Sequence, residues 1–322
     1  MSKANILVLG GSGFVGRYLV PRLDAAGFSV TVPTRNRERA RHLILLPQTH
    51  VAQMNIHDDA DLDHLMADKD VVINLVGILH GRPGNANELY GPDFKRAHVD
   101  LMERVLASAG RYKVKRVLQM SALGVTDNDP ATLPSRYLRS KAAAEKLLRE
   151  SPLDWVVFRP SVIFGPGDSL LSLFARLQRI APFLALPNAD ARFQPVYVGD
   201  VADALLKGVD DPRMAGRWFE LAGPDVYTLR ELVALAGRYT GSERRVFNLP
   251  PGPAHVMSLV MEMLPGNTLM SRDNLLSMKV DSVANGPMDP HLGIVPTPVT
   301  TIAPSYLAPL DSAFNAARRA RR

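Results

Sequence analysis

Along the first 160 residues, short apolar runs alternate with stretches in which apolar residues recur every three or four positions. Ile6 to Gly10, Ser29 to Pro33, His50 to Ile56, Asp70 to Val76, Val114 to Met120 and Asp154 to Arg159 read as strands. The first and fourth have the unbroken apolar character of strands buried on both faces. Phe14 to Ala26, Asp61 to Ala67 and Phe94 to Ala109 read as helices, the last with Val99, Met102, Val105 and Leu106 at helical spacing. Strands that alternate with helices join through crossovers of one hand, which makes a single parallel sheet.

Beyond Pro160 the pattern is less regular. Leu170 to Ile180 reads as an amphipathic helix, Val196 to Val198 as a further strand, and Val201 to Val209 as a helix capped by Asp200. Pro253 to Leu264 reads as a helix with one narrow polar stripe of His255, Ser258 and Glu262 among Val256, Met257, Leu259, Val260, Met261, Met263 and Leu264. A helix that apolar needs a partner on most sides. Packing within the second half is the first expectation. The alternative is a lipid-like molecule, a membrane surface or another subunit, since methionine-rich faces adapt to such partners.

Glycines at 10, 13 and 16 follow the first strand and open the first helix. Gly10 permits a sharp exit from the strand, Gly13 lets backbone approach a pyrophosphate, and Gly16 lets the helix lie close on the sheet. The helix then presents its unpaired N–H groups and positive dipole end to the phosphates. The expected fold is therefore α/β, a Rossmann-type doubly wound parallel sheet. Arg35 stands 19 residues after Gly16, where an NAD site usually carries a carboxylate for the ribose. A guanidinium there pairs with a 2′-phosphate, so NADP(H) is favoured, with NAD(H) the alternative. Arg37, Arg39 and Arg41 read as the solvated face of a helix.

Of the formal charge of +6, four units come from Arg318, Arg319, Arg321 and Arg322, so the body is close to neutral and no nucleic-acid partner is expected. The chain has no cysteine, which excludes disulfides, thiolate nucleophiles and cysteine-held metals, and no metal is expected. The opening MSKANILVLGG lacks the pattern of a secretory leader, and no apolar run approaches the about 18 residues of a membrane span. A cytoplasmic protein, or one peripheral to the inner face of a membrane, is the expectation.

Ser121 follows the fifth strand, and 16 residues later Tyr137 and Lys141 stand four apart at the start of a helix for which Pro134 and Ser135 are first-turn and capping candidates. Residues at that spacing share a helix face. An ammonium beside a phenol is expected to lower its pKa from about 10 towards neutrality and make Tyr137 a general acid or base. The same ammonium can hold a nicotinamide ribose, and Ser121 can hydrogen-bond the substrate oxygen whose charge changes as hydride moves.

Gly10, Gly13 and Gly16, the Tyr137 and Lys141 pair, Arg159-Pro-Ser-x-x-Phe-Gly-Pro-Gly167 and Pro195-Val-Tyr-Val-Gly-Asp-Val-Ala202 together resemble the short-chain dehydrogenase/reductases of the extended and atypical branch, over most of the chain. Within that family, Ser135-Arg-Tyr-Leu-Arg-Ser-Lys141, Gln194-Pro-Val-Tyr-Val and Asn74-Leu-Val-Gly77 look most like the nucleotide-binding accessory subunit of respiratory complex I, and related proteins of ubiquinone biosynthesis are similar. Two positions depart from the family: Ala122 stands where a second hydroxyl residue usually follows the first, and Leu9 where a threonine usually precedes the first glycine.

The resemblance implies a dinucleotide-binding core over 1–160 with returns from about 194–222, a smaller C-terminal substrate lobe mainly over 161–310, and a basic tail over 311–322. It implies Tyr137, Lys141 and Ser121 as the catalytic set. The implied cofactor contacts are Gly10, Gly13, Phe14, Val15, Gly16, Arg35, Asn55, Ile56, Val76, Gly77, Lys141, Pro160 and Ser161, with substrate held among Ser121, Tyr137, Ser161 and the Phe193-Gln194-Pro195 segment. Two functions stay open. One is an NADP(H)-dependent oxidoreductase or epimerase-like enzyme acting on a carbonyl or hydroxyl of a lipid-, quinone- or nucleotide-sugar-type small molecule. The other is a non-catalytic nucleotide-binding accessory or assembly protein of complex I or the quinone pathway, with a membrane or respiratory-complex partner.

Overall fold

The computed structural model describes residues 3–308 apart from 83, 86, 87, 128 and 264–269, so the basic tail 311–322 and Leu264 lie outside the described residues. Its main sheet has seven strands: β1 (Asn5–Leu9), β2 (Ser29–Thr34), β3 (Thr49–Gln53), β4 (Val71–Asn74), β5 (Arg116–Met120), β6 (Asp154–Pro160) and β7 (Arg217–Leu221). All pair in parallel, in the order β7-β6-β5-β4-β1-β2-β3. The helices of this part are α1 (Gly16–Ala25), α2 (Asp59–Met66), α3 (Leu101–Arg111), α4 (Arg136–Arg149) and α5 (Val198–Asp210).

Ile6, Leu7, Val8 and Leu9 are all fully buried, which a strand achieves only when both sheet faces are covered. On one face Leu7, Leu9, Val72, Val117 and Val157 pack against Leu62 and Leu65 of α2, Met102 and Val105 of α3, and Ala144 and Leu148 of α4. On the other, α1 and α5 lie against each other. The order of strands reverses between β1 and β4, and in doubly wound sheets the crevice beyond such a reversal receives the ligand.

Phe94 to Ala109, expected as one helix, is a short turn at Pro92–Phe94, a π-helical stretch at Lys95–Asp100, and then α3. One inserted residue leaves the apolar spacing on either side intact, so periodicity alone does not reveal it. Asp200 does not cap a helix beginning at Val201. The helix starts at Val198 and Asp200 lies buried in its first turn. Ser135 does cap α4, its hydroxyl accepting the Leu138 N–H at 3.2 Å.

The chain divides into two units. The first comprises 1–160, 198–221 and 288–294, and the second 161–197, 222–287 and 295–322. The second unit pairs Phe183–Pro187 in parallel with Arg245–Leu249 and packs Leu170–Ile180 against Leu229–Thr240 around Phe174, Leu232, Val233 and Ala236. Thr228 and Glu231 form a reciprocal capping box at the start of that last helix, and Gly241, at φ 66°, ends it.

Buried charges fix the first unit as firmly as its apolar core does. Arg116 donates to Asp154 at 2.9 and 2.7 Å and to the Gly208 and Asp211 carbonyls at 3.0 and 2.9 Å, satisfying the C-terminal end of α5. Arg159, on β6, donates its Nε to both oxygens of Glu145 on α4 at 3.1 Å and its Nη2 to Asp127 at 2.8 Å, and its guanidinium stands 4.3 Å over the Trp218 ring of β7. Removing one partner of a buried pair leaves the other charge uncompensated, at a cost of about 3–5 kcal/mol. Glu145→Ala is therefore expected to lose stability on that scale in urea denaturation, whereas Glu150→Ala, at an exposed position of the same helix end, is expected to change it by less than about 0.5 kcal/mol.

Candidate nucleotide and proton-transfer site

β1 ends at Leu9, and Gly10 takes φ +76°, a conformation that favours glycine; a Cβ there would stand 3.2 Å from backbone atoms of Leu75 and Val76. The glycine loop thus abuts the exit of β4, at the point where the strand order reverses. A Cβ on Gly16 would lie 2.2 Å from the Gly11 carbonyl oxygen, so only glycine lets α1 begin there. Gly13 closes the turn, its N–H donating to the Gly10 carbonyl at 2.9 Å, and is itself exposed. Val15 is buried, and half-buried Phe14 sets its ring edge-on to Tyr18 at 6.0 Å.

Arg35 is exposed immediately after β2, on a loop held by the Thr34 hydroxyl, which donates to the Asn36 carbonyl at 2.9 Å and accepts the Asn36 N–H at 3.2 Å. Among the described residues it forms no ion pair with a carboxylate. At the exit of β3, Asn55 donates its N–H to Asp61 at 2.8 Å and accepts the His57 N–H at 3.3 Å, while Ile56 packs on the core. Burial, and then the charges of Arg96, Arg104 and Arg35, lower the pKa of His57. Cations therefore crowd the edge where Arg35 stands.

At the other end of the crevice, Asn74 accepts the Val76 N–H at 3.1 Å and turns the chain into Gly77. The Lys141 amine donates to the Met120 carbonyl at 3.0 Å and the Val76 carbonyl at 3.3 Å, joining the exits of β5 and β4, and a Cβ on Gly77 would stand 3.2 Å from it. Ser121 continues the β5 ladder by donating its N–H to Phe158 at 2.7 Å, while its buried hydroxyl has no partner among the described residues. The orphaned Oε1 of Gln119, two residues earlier on the same strand, was not singled out from the sequence.

The lowered tyrosine pKa expected from the sequence is not found. Burial raises Tyr137 from 10.0 to about 12, with its ring set against Phe94 and His98 at 6.2 and 5.9 Å between centroids. The same desolvation lowers Lys141 from 10.5 to about 8. Proximity in sequence supplied the charge, but its removal from water dominates both groups.

Pro160 closes β6 against Leu221 of β7, and Ser161 begins the second unit. There its hydroxyl donates to the Ser282 carbonyl at 2.8 Å and accepts the Gln194 N–H at 3.3 Å, while the Gln194 amide spans the Gly223 carbonyl and the Ala284 N–H at 2.7 and 3.0 Å. These two side chains brace the second unit internally.

A glycine loop at a helix N-terminus, an exposed cation beyond β2 and a buried amine at the exits of β4 and β5 are groups that could hold a dinucleotide. Together with the doubly wound sheet they define a nucleotide-binding protein of the short-chain dehydrogenase/reductase kind. The sequence pattern of the NAD dependent epimerase/dehydratase family matches residues 6–221, and the chain belongs to that family.

Among its relatives, the NADH dehydrogenase [ubiquinone] 1 alpha subcomplex subunit 9 of Arabidopsis thaliana mitochondria is 31% identical, over 86% of this chain and 70% of its own. A ceramide reductase of Caulobacter vibrioides is 28% identical, over 78% of this chain and 75% of its own. The Bordetella bronchiseptica enzyme WbmH, solved with NAD+, superposes with a TM-score of 0.63 at 21% identity, over 77% of this chain and 86% of its own, a likeness of fold. Subunits of NADH dehydrogenase [ubiquinone] and reductases thus both stand among the relatives.

Linkage gives the lysine a measurable signature. Below pH 8 both folded and unfolded chains hold the Lys141 proton; between about 8 and 10.5 the unfolded chain keeps a proton that the folded chain has released, so this group makes stability rise with pH. The stability of the wild type relative to Lys141→Met is expected to climb across that window, by at most about 1.4 kcal/mol per pH unit. Denaturant unfolding at intervals of pH reads it, and a flat or falling difference contradicts the assignment.

Proposed function

We propose that the chain binds NADP(H) and reduces a carbonyl group of a small, largely apolar or nucleotide-linked molecule, in the class of lipids, quinones or nucleotide sugars. The observation that carries this reading is Tyr137 one helical turn before Lys141 on α4, with the Lys141 amine seated on the carbonyl of Met120, whose neighbour in the chain, Ser121, has a hydroxyl with no partner among the described residues. The reductive direction starts from a protonated phenol, the form Tyr137 holds at neutral pH, and transfer of its proton calls for a pKa drawn down from about 12 by the charge that develops on the substrate oxygen. The bound nucleotide would supply the hydride. Tyr137 would give its proton to the substrate oxygen as that oxygen gains charge, Ser121 would hydrogen-bond the same oxygen, and Lys141 would orient the nicotinamide ribose. The ceramide reductase relative supports a lipid-like carbonyl substrate. Arg35, with Arg96 and Arg104 nearby in charge, supports a 2′-phosphate on the nucleotide.

A second reading, a nucleotide-holding accessory protein at a respiratory complex or membrane, is favoured by the second unit. Ile180, Phe183, Phe247, Val256 and Leu259 are exposed there, with Phe183 and Phe247 ring to ring at 5.8 Å and the exposed Arg179, Arg244 and Arg245 close by in the chain. The polar stripe expected on the 253–264 helix is divided, with His255 exposed and the other two drawn inward. Ser258 is buried, donating to the Ala254 carbonyl at 2.7 Å, and Glu262 accepts from Arg272 at 2.7 and 2.9 Å, while Val256 and Leu259 face outward. Apolar groups flanked by arginines suit the interface of an anionic bilayer. No helix among the described residues is long and apolar enough to cross a membrane.

Titration calorimetry is expected to show NADPH binding more tightly than NADH, with Arg35→Ala narrowing the ratio by about tenfold or more through loss of a charge-assisted contact. NADPH oxidation with ketosphingolipid, quinone and nucleotide-sugar ketone substrates is expected to fall by about a hundredfold or more in Tyr137→Phe. Equal rates in the two proteins would end the catalytic reading and leave the accessory one. Flotation with phosphatidylglycerol vesicles is expected to recover the wild type but not the Phe183→Asp, Phe247→Asp double variant; equal recovery would reject the membrane face.

A further inference from the structure

The mechanism leaves unused a histidine that touches it. His98 lies on the π-helical stretch Lys95–Asp100, is 2% exposed, and sets its ring 5.9 Å from both Phe94 and Tyr137. Its Nε2 accepts the Ile78 N–H at 3.2 Å, so that nitrogen carries the lone pair. The hydrogen then sits on Nδ1, which faces the Ser140 Oγ at 2.7 Å, and the Ser140 hydroxyl donates in turn to the Tyr137 carbonyl at 2.8 Å. One placement of protons satisfies every group, and it makes the ring neutral and of a single tautomer. Burial, and then the Lys141 charge, hold the pKa of His98 well below 6.5, consistent with that state.

This chain of bonds joins the exit of β4 to the first turn of α4. Ile78 follows Gly77, whose missing Cβ would stand 3.2 Å from the Lys141 amine and 4.0 Å from His98 Nε2. Tyr137 and Ser140 belong to the first turn of α4, which carries Lys141. A π-helical turn widens a helix by one residue, a feature found at functional sites more than elsewhere, and here the widened turn is the one that bears the ring.

We propose that His98 is a positioning residue, wired between the Ile78 amide and the first turn of α4, that holds Gly77 and Lys141 in register for the nicotinamide-ribose end of the nucleotide. The inference rests on the nucleotide-binding reading above. It differs from a packing role because the two bonds can be cut separately: a glutamine can still accept from Ile78, an asparagine can still donate to Ser140, and a phenylalanine fills the space while doing neither.

The test reads His98→Gln, His98→Asn and His98→Phe by amide hydrogen exchange at Ile78 and by NADPH affinity. Exchange at Ile78 is expected to stay slow in the wild type and His98→Gln and to accelerate in the other two, and affinity to follow the same order, falling about tenfold or more where the amide is left unsatisfied. Ring nitrogen shifts of the wild type should report a neutral, Nδ1-protonated imidazole at pH 6, which needs no variant to fold. His98→Phe binding NADPH as tightly as the wild type with Ile78 equally protected would overturn the proposal, as would an Nε2-protonated or cationic ring. A wild type that binds neither nucleotide would sink the oxidoreductase reading by itself, while exchange at Ile78 would still decide whether the tie exists.

Discussion

A helix that carries an amine and a carboxylate on its buried face can settle in only one register. Lys141 and Glu145 stand four residues apart on α4, 3% and 1% exposed, and Tyr137 continues the same face one turn earlier. Each buried charge must find a partner or neutralise. Glu145 finds Arg159, which binds Asp127 as well and is roofed by Trp218, while Lys141 finds the carbonyls of Val76 and Met120. Rotating α4 would strand both groups, so the electrostatics that hold the helix on the sheet also aim Tyr137.

The same burial decides what those groups can do. Taking both out of water raises the tyrosine and lowers the lysine, so their pKa values move in opposite directions and both groups are pushed towards their neutral forms. The outcome is a protonated phenol and a weakened cation rather than a phenolate and a strong one. The glycine loop answers a different demand, close backbone approach, and meets it at the reversal of strand order, where α1 begins against the Gly11 carbonyl.

Much of this was legible in the sequence because it is written in short-range patterns. The run Ile6-Leu-Val-Leu9, the glycine spacing and the alternation of strand and helix are local, and they led to the parallel sheet that forms. Ser135 as a cap and Leu170–Ile180 as a helix rest on equally local cues. What escaped depends on distant contacts. The direction of the Tyr137 shift needed its surroundings of Phe94 and His98, residues some 40 positions away in the chain. The π-helical turn adds one residue without disturbing the apolar period, and His98 hides among apolar neighbours that by themselves read as ordinary core. The arginines gathered around His57 come from three separate segments, of which only Arg35 stood at a telling distance from the glycines.

The relatives include both a reductase and a subunit of NADH dehydrogenase [ubiquinone], and little need separate catalysis from nucleotide holding physically. In the function proposed above, binding a dinucleotide would draw on the glycine loop, the cation after β2 and the Lys141 amine, none of which needs Tyr137 to exchange a proton. Turnover adds one requirement, a pKa within reach of the substrate oxygen as it gains charge. Desolvation sets that pKa, and desolvation depends on how the ring sits among Phe94 and His98 and on what enters beside it. A polar substrate oxygen arriving at Tyr137 and Ser121 would stabilise the phenolate left behind by hydrogen bonding, whereas an apolar occupant would keep the proton where it is. One scaffold can therefore serve catalysis or storage of the nucleotide according to the polarity of the group placed against a single hydroxyl.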